Sequence, residues 1–119
     1  PHPFDGMGRH PLAEIAREPL ITEIDIIEIF NARSLSAKCT EKAREFAGRH
    51  GLLASAGSDA HAPRHVGNAY VEMPTFNGPS EFKQALGQGQ ILGHKTGFID
   101  HFLTTLGTVP KRLRNHKYV

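Results

Sequence analysis

Asp59 and His61 stand two residues apart in Ser58-Asp59-Ala60-His61, directly after the apolar run Leu52-Leu53-Ala54-Ser55-Ala56-Gly57. Carboxylate and imidazole both ligate hard-to-borderline divalent metals. In an extended backbone, residues i and i+2 point to one side, so the two side chains reach one ion if the strand carries on through them. The plainer use of the same residues is a turn or a helix cap, which Asp after Gly and Ser commonly builds. A second imidazole, His2 in Pro1-His2-Pro3-Phe4-Asp5, has a comparable setting without a preceding strand in this sequence.

Other residues join by type. Arg9 and Arg33 are candidates for phosphate contact, because a guanidinium fork matches two phosphate oxygens; either also reads as a surface arginine. Glu28 shares strand parity with Ile24, Ile26 and Phe30, so it either points toward a site on that face or ends an ion pair. Asn31 either fixes a strand-to-helix turn through its side chain or touches substrate. Eight histidines, scattered rather than clustered as a tag, fit a metalloenzyme, and His65 is near enough in sequence to Asp59 to join its site. Cys39, alone of its kind, cannot form an intrachain disulfide and reads as a buried thiol on an apolar helical face.

The elements that must position these groups emerge from pattern. Pro11 to Glu18 reads as a short helix with Pro at its first position and Pro19 ending it. Ile24 to Phe30 is β-branched and nearly continuous in apolar character, as expected of a parallel strand buried on both faces. Ser34 or Ser36 can cap a helix running to His50, with Leu35, Cys39, Ala43, Phe46 and Ala47 on one face and Gly51 as its left-handed terminator. Leu52 to Gly57 returns as a strand, giving a βαβ unit with an expected right-handed crossover. A strand at Ala69 to Met73, a helix opened by Pro79 through Phe82, Ala85 and Leu86, and a strand at Gln90 to Gly93 complete the pattern. Ligands of such sheets sit at the carboxyl ends of strands, where Asn31, Arg33, Asp59 and His61 fall.

With 119 residues the chain holds one modest domain. A net charge of +2 and a pI near 9.0 give no general nucleic-acid affinity, although Lys111, Arg112, Arg114 and Lys117 gather near the end as a solvated basic tail. The aromatic platform or recognition helix of a nucleic-acid module is missing from the pattern. No apolar run approaches the roughly 20 residues of a membrane span, and the cytoplasm is the expected compartment.

His2-Pro3-Phe4, Glu28-Ile29-Phe30-Asn31-Ala32-Arg33 and Gly57-Ser58-Asp59-Ala60-His61 resemble, in order and approximate spacing, the later motifs of the polymerase and histidinol phosphatase (PHP) superfamily. Those proteins are metal-dependent phosphoesterases on a distorted seven-stranded β/α barrel. The resemblance implies an α/β fold, the carboxyl-terminal portion of a TIM-like PHP barrel with parallel strands, over residues 1–93, followed by a PHP-associated segment with a basic tail over 94–119. It implies metal ligation by His2, Asp59 and His61, a catalytic part for Asp59, and up to three divalent ions, Zn, Mn or Fe. The expected substrate is a small phosphomonoester or nucleotide.

The sequence departs from that family where the family begins. No His-x-His element occurs here, and the bridging Glu and further His ligands that the family draws from its first half have no counterpart. The expectation is a carboxyl-terminal half, needing either self-association or pairing with an amino-terminal half to cover its strands. A catalytically inactive fragment or assembly module is the alternative.

Overall fold

The computed structural model describes residues 1–5, 19–100 and 102–104. The helix expected at Pro11 to Glu18, Arg9 and the basic tail lie outside the described residues. A 3-10 turn at Ile21–Glu23 leads into β1 (Ile26–Asn31), followed by α1 (Ala37–His50), β2 (Leu53–Gly57), a second 3-10 turn (Pro63–His65), β3 (Ala69–Glu72), α2 (Gly78–Gly87) and β4 (Gln90–Gly93).

β1 and β2 pair in parallel, from Ile26 opposite Leu53 to Asn31 opposite Gly57, so the βαβ unit expected from the pattern forms. The ladder is irregular at one place. Ser55 faces Glu28 and Ala56 faces Phe30, leaving Ile29 as an extra residue in β1. Such a bulge bends the strand and reverses the parity of the residues beyond it.

α1 covers β1 with the stripe that the spacing predicts: Ala43, Phe46 and Ala47 are buried. Leu35 lies before the helix and is exposed. Ser36 stands at the amino-terminal cap position, but its hydroxyl makes no capping bond; Ser34 Oγ instead donates to the Ser36 carbonyl. The core gathers Ile27, Phe46 and Ala47, with Phe4, Ile21, Ile29 and Leu52 packed against them.

The helix ends at Gly51, whose φ of 65° is left-handed and whose amide donates to the Ala47 carbonyl. A Cβ at residue 51 would meet nothing within 4 Å, so only backbone conformation opposes a side chain there. Gly51→Ala should therefore cost about 1–2 kcal/mol and lower the melting temperature by roughly 4 °C or more, readable by circular dichroism.

The second half departs from the expected all-parallel arrangement. β3 and β4 are antiparallel, from Ala69 opposite Gly93 to Glu72 opposite Gln90. A helix between two strands permits a parallel crossover without requiring one. Here α2 lies against β2, bringing Gly87 to Leu53, and β4 returns beside β3. The described residues thus form a mixed α/β unit of two two-stranded sheets, one of them parallel, and do not form a TIM-like barrel. No helix among them is long and apolar enough to cross a membrane.

Candidate functional site

The carboxyl ends of β1 and β2 lie side by side, and the ladder is extended by the Ala32 amide donating to the Gly57 carbonyl at 3.0 Å. Beyond Gly57 the chain does not continue as a strand. Asp59 has a φ of 48°, so the extended geometry expected to align Asp59 with His61 is replaced by a left-handed turn. Aspartate tolerates that conformation better than most residues.

The two side chains meet nevertheless. His61 Nδ1 lies 2.8 Å from the Asp59 carbonyl oxygen and 3.5 Å from Asp59 Oδ1. A carbonyl oxygen only accepts, so Nδ1 carries the hydrogen of this contact. Metal-binding histidines are commonly fixed in this way. The Asp59 side chain is 20% exposed and that of His61 40%, so the pair is open to solvent or a ligand.

A second group forms on β1. In a regular strand Glu28 and Asn31 would face opposite sides, three residues apart. The extra residue at Ile29 reverses the parity, and Asn31 Nδ2 donates to Glu28 Oε1 at 2.8 Å. Asn31 Oδ1 accepts from the Arg33 amide at 2.9 Å, which orients the side-chain amide and sets the turn after β1. Of its two possible uses, Asn31 thus takes the turn. Glu28 turns toward His2 and Asn31 and, among the described residues, ends no ion pair.

His2 reaches the same carboxylate through its backbone, its amide donating to Glu28 Oε1 at 2.8 Å. Its φ of 32° is also left-handed. Among the described residues, His2 and Asp59 are the non-glycine positions with positive φ, a conformation costing of order 1–3 kcal/mol that clusters at functional sites. His2 Nδ1 is buried with no hydrogen-bond partner among the described residues. A small cleft is lined by His2, Phe4, Asp5, Glu28, Asn31 and Cys39. The Cys39 thiol, half-buried, donates to the Phe4 carbonyl.

Residues 94–100 and 102–104 strap these strand ends. Thr96 donates its amide to the Ala32 carbonyl at 2.7 Å, and Lys95 Nζ donates to the Asn31 carbonyl at 3.0 Å while lying over the Phe30 ring. Arg33 is buried, and its Nη1 donates to Thr104 Oγ1 at 2.8 Å. That places the guanidinium as a tie between the end of β1 and the strap. His65 is 1% exposed, and neither ring nitrogen has a hydrogen-bond partner among the described residues.

Asp59 and His61 are thus brought together, while His2 groups with Glu28 and Asn31. Among the described residues, no three His, Cys, Asp or Glu side chains converge to hold a metal ion. A divalent metal takes about four to six donors, more than the Asp59–His61 pair supplies. The strand parity expected to put Glu28 on one face with Phe30 is broken by the extra residue at Ile29.

Comparison with known proteins bears on the middle of the chain. Residues 40–91, from α1 into β4 and including the Asp59–His61 turn, match the family model described as PHP-associated. An uncharacterized protein of Methanocaldococcus jannaschii is 35% identical over 80 residues, which are 65% of this chain and 34% of the relative. The chain therefore matches about a third of that relative's length. No solved structure matches. Residues 40–91 thus resemble a PHP-associated segment, in keeping with the PHP resemblance that the motifs carry.

Proposed function

We propose that this chain supplies a carboxyl-terminal share of a metal-dependent phosphoesterase site acting on a small phosphomonoester or nucleotide. The observation that carries the reading is the Asp59–His61 turn: an imidazole with Nδ1 tied to a carbonyl, beside a carboxylate. Asp59 and His61 would be donors to one divalent ion, Zn, Mn or Fe, and His2 a further donor. Bound ions of this kind supply an activated water and neutralise phosphate oxygens. The part of Asp59 is to accept a hydrogen bond from the attacking water and hold it in line. Arg9 is the phosphate contact of this reading, with Arg33 tying the strap to β1. The remaining donors, and the strands that would close a seven-stranded barrel, come in this reading from a first-half PHP segment, joined or separate.

A catalytically inactive assembly module is the second reading. It is favoured by the apolar side chains of Phe98 and Ile99, 70% and 75% exposed, with Phe102 and Leu103 also exposed. Self-association or pairing with another PHP segment would cover them.

Hydrolysis of para-nitrophenyl phosphate with added Mn²⁺ separates the two readings. In its native sequence context the protein is expected to lose about 10²–10⁴-fold in turnover on Asp59→Ala, the range for removal of a side chain that accepts a proton from the reacting group. Residues 1–119 alone should turn over no faster than their Asp59→Ala variant. Equal rates for wild type and Asp59→Ala in the native context would leave the assembly module as the surviving reading.

A further inference from the structure

The Glu28 carboxylate spans both strand ends. Oε1 accepts from the His2 amide and from Asn31 Nδ2, each at 2.8 Å, and Asn31 is itself fixed by the Arg33 amide. Oε2 extends over Gly57, where a Cβ would meet it, so glycine at the end of β2 is what lets the carboxylate lie there. The residue so anchored, His2, has a left-handed backbone and a buried Nδ1 without a hydrogen-bond partner among the described residues. Nothing in a Pro-His-Pro-Phe sequence holds that backbone by itself. The His2 carbonyl also accepts from the Asp5 amide at 3.2 Å, but that contact stays within the same short turn and does not tie it to the strands.

We infer that Glu28 is a positioning residue, whose carboxylate holds the His2 backbone in its left-handed turn and thereby aims the imidazole at the site. The acceptor geometry of Oε1, rather than the negative charge, is what the arrangement uses, since both partners are neutral N–H donors. The bulge at Ile29 is the device that brings the pieces together, because without it Asn31 would face away from Glu28. The role of the aimed imidazole as a metal donor rests on the proposed phosphoesterase reading; the positioning itself does not.

Three variants test it: Glu28→Ala removes the acceptor, Glu28→Gln keeps an acceptor of the same reach without charge, and Gly57→Ala leaves Glu28 intact but displaces its carboxylate. The first readout is the His2 Cε1–H signal by proton–carbon NMR in metal-free protein. It should move in Glu28→Ala and Gly57→Ala and stay near its wild-type position in Glu28→Gln. The second is Mn²⁺ affinity in the native sequence context, expected to fall about 10–100-fold in Glu28→Ala, as when an outer partner of a metal-binding histidine is lost, and to be restored in Glu28→Gln. Should Glu28→Ala fail to fold, Gly57→Ala carries the same expectation. A His2 signal unmoved by Glu28→Ala or Gly57→Ala, or moved equally by Glu28→Gln, overturns the inference. A signal that moves with unchanged affinity supports the positioning and overturns only the donor role of His2. Mn²⁺ binding that is indifferent to Asp59 and His61 defeats the phosphoesterase reading alone.

Discussion

Replacing Asp59 and His61 together by Ala is expected to remove most of any divalent metal that the protein takes up, and residues 1–119 alone are expected to bind it weakly and well short of three ions per chain. The first expectation rests on the turn that fixes His61 Nδ1 on the Asp59 carbonyl, 2.8 Å away, and sets the imidazole beside the Asp59 carboxylate. Four-donor zinc sites gather about 10–16 kcal/mol, so one donor accounts for roughly 3 kcal/mol, or about 100-fold in affinity. Loss of two should take binding below detection. The second expectation rests on the donor count, since no three ligating side chains converge among the described residues. Metal analysis after equilibrium dialysis against Zn²⁺ or Mn²⁺ measures both. Three tightly held ions per chain, or retention of metal in the double variant, would defeat the picture of a partial site centred on Asp59.

The parts of this arrangement that were legible in the sequence are those that depend on neighbours along the chain. β4 occupies Gln90–Gly93 as its pattern indicated, α1 ends at a left-handed Gly51, and the apolar stripe of Ala43, Phe46 and Ala47 is the buried one. β1 starts two residues late because the preceding 3-10 turn draws in Ile24, whose amide donates to the Ile21 carbonyl. The features that could not be read were set by partners far along the chain. The bulge at Ile29 is a property of register against β2, and it decides that Glu28 and Asn31 share a face. Arg33 invited a phosphate by type, yet its guanidinium meets Thr104, 71 positions away. Asp59 and His61 meet, but through a left-handed turn and not the extended backbone expected, because strand propensity does not reveal where a ladder stops. Likewise, the helix between β3 and β4 suggested a parallel pair, and the antiparallel register of the two strands is set by pairing that local periodicity does not carry.

Phe46→Ala is expected to cost about 3–5 kcal/mol, a large share of the roughly 5–15 kcal/mol that stabilises a domain. Phe46 is 7% exposed and sits at the centre of the cluster with Ile27 and Ala47. Its ring meets that of Phe4 edge-on at 5.6 Å between centroids and that of His50 at 4.5 Å. Truncation would leave a cavity between α1 and β1 that the small neighbours Ala43 and Ala47 cannot fill. The effect should also reach the site, because Phe4 is the apolar anchor of the segment that carries His2, and the Phe4 carbonyl is held by the Cys39 thiol on the same helix. Urea unfolding should therefore show a lowered midpoint, and the His2 NMR signal should broaden or move under conditions where the variant is still folded. Phe46→Leu, which keeps an apolar filler, should recover much of the stability. An unchanged urea midpoint in Phe46→Ala would mean that α1 does not form the core with β1, and a lowered midpoint with an undisturbed His2 signal would mean that Phe4 does not connect that core to the site.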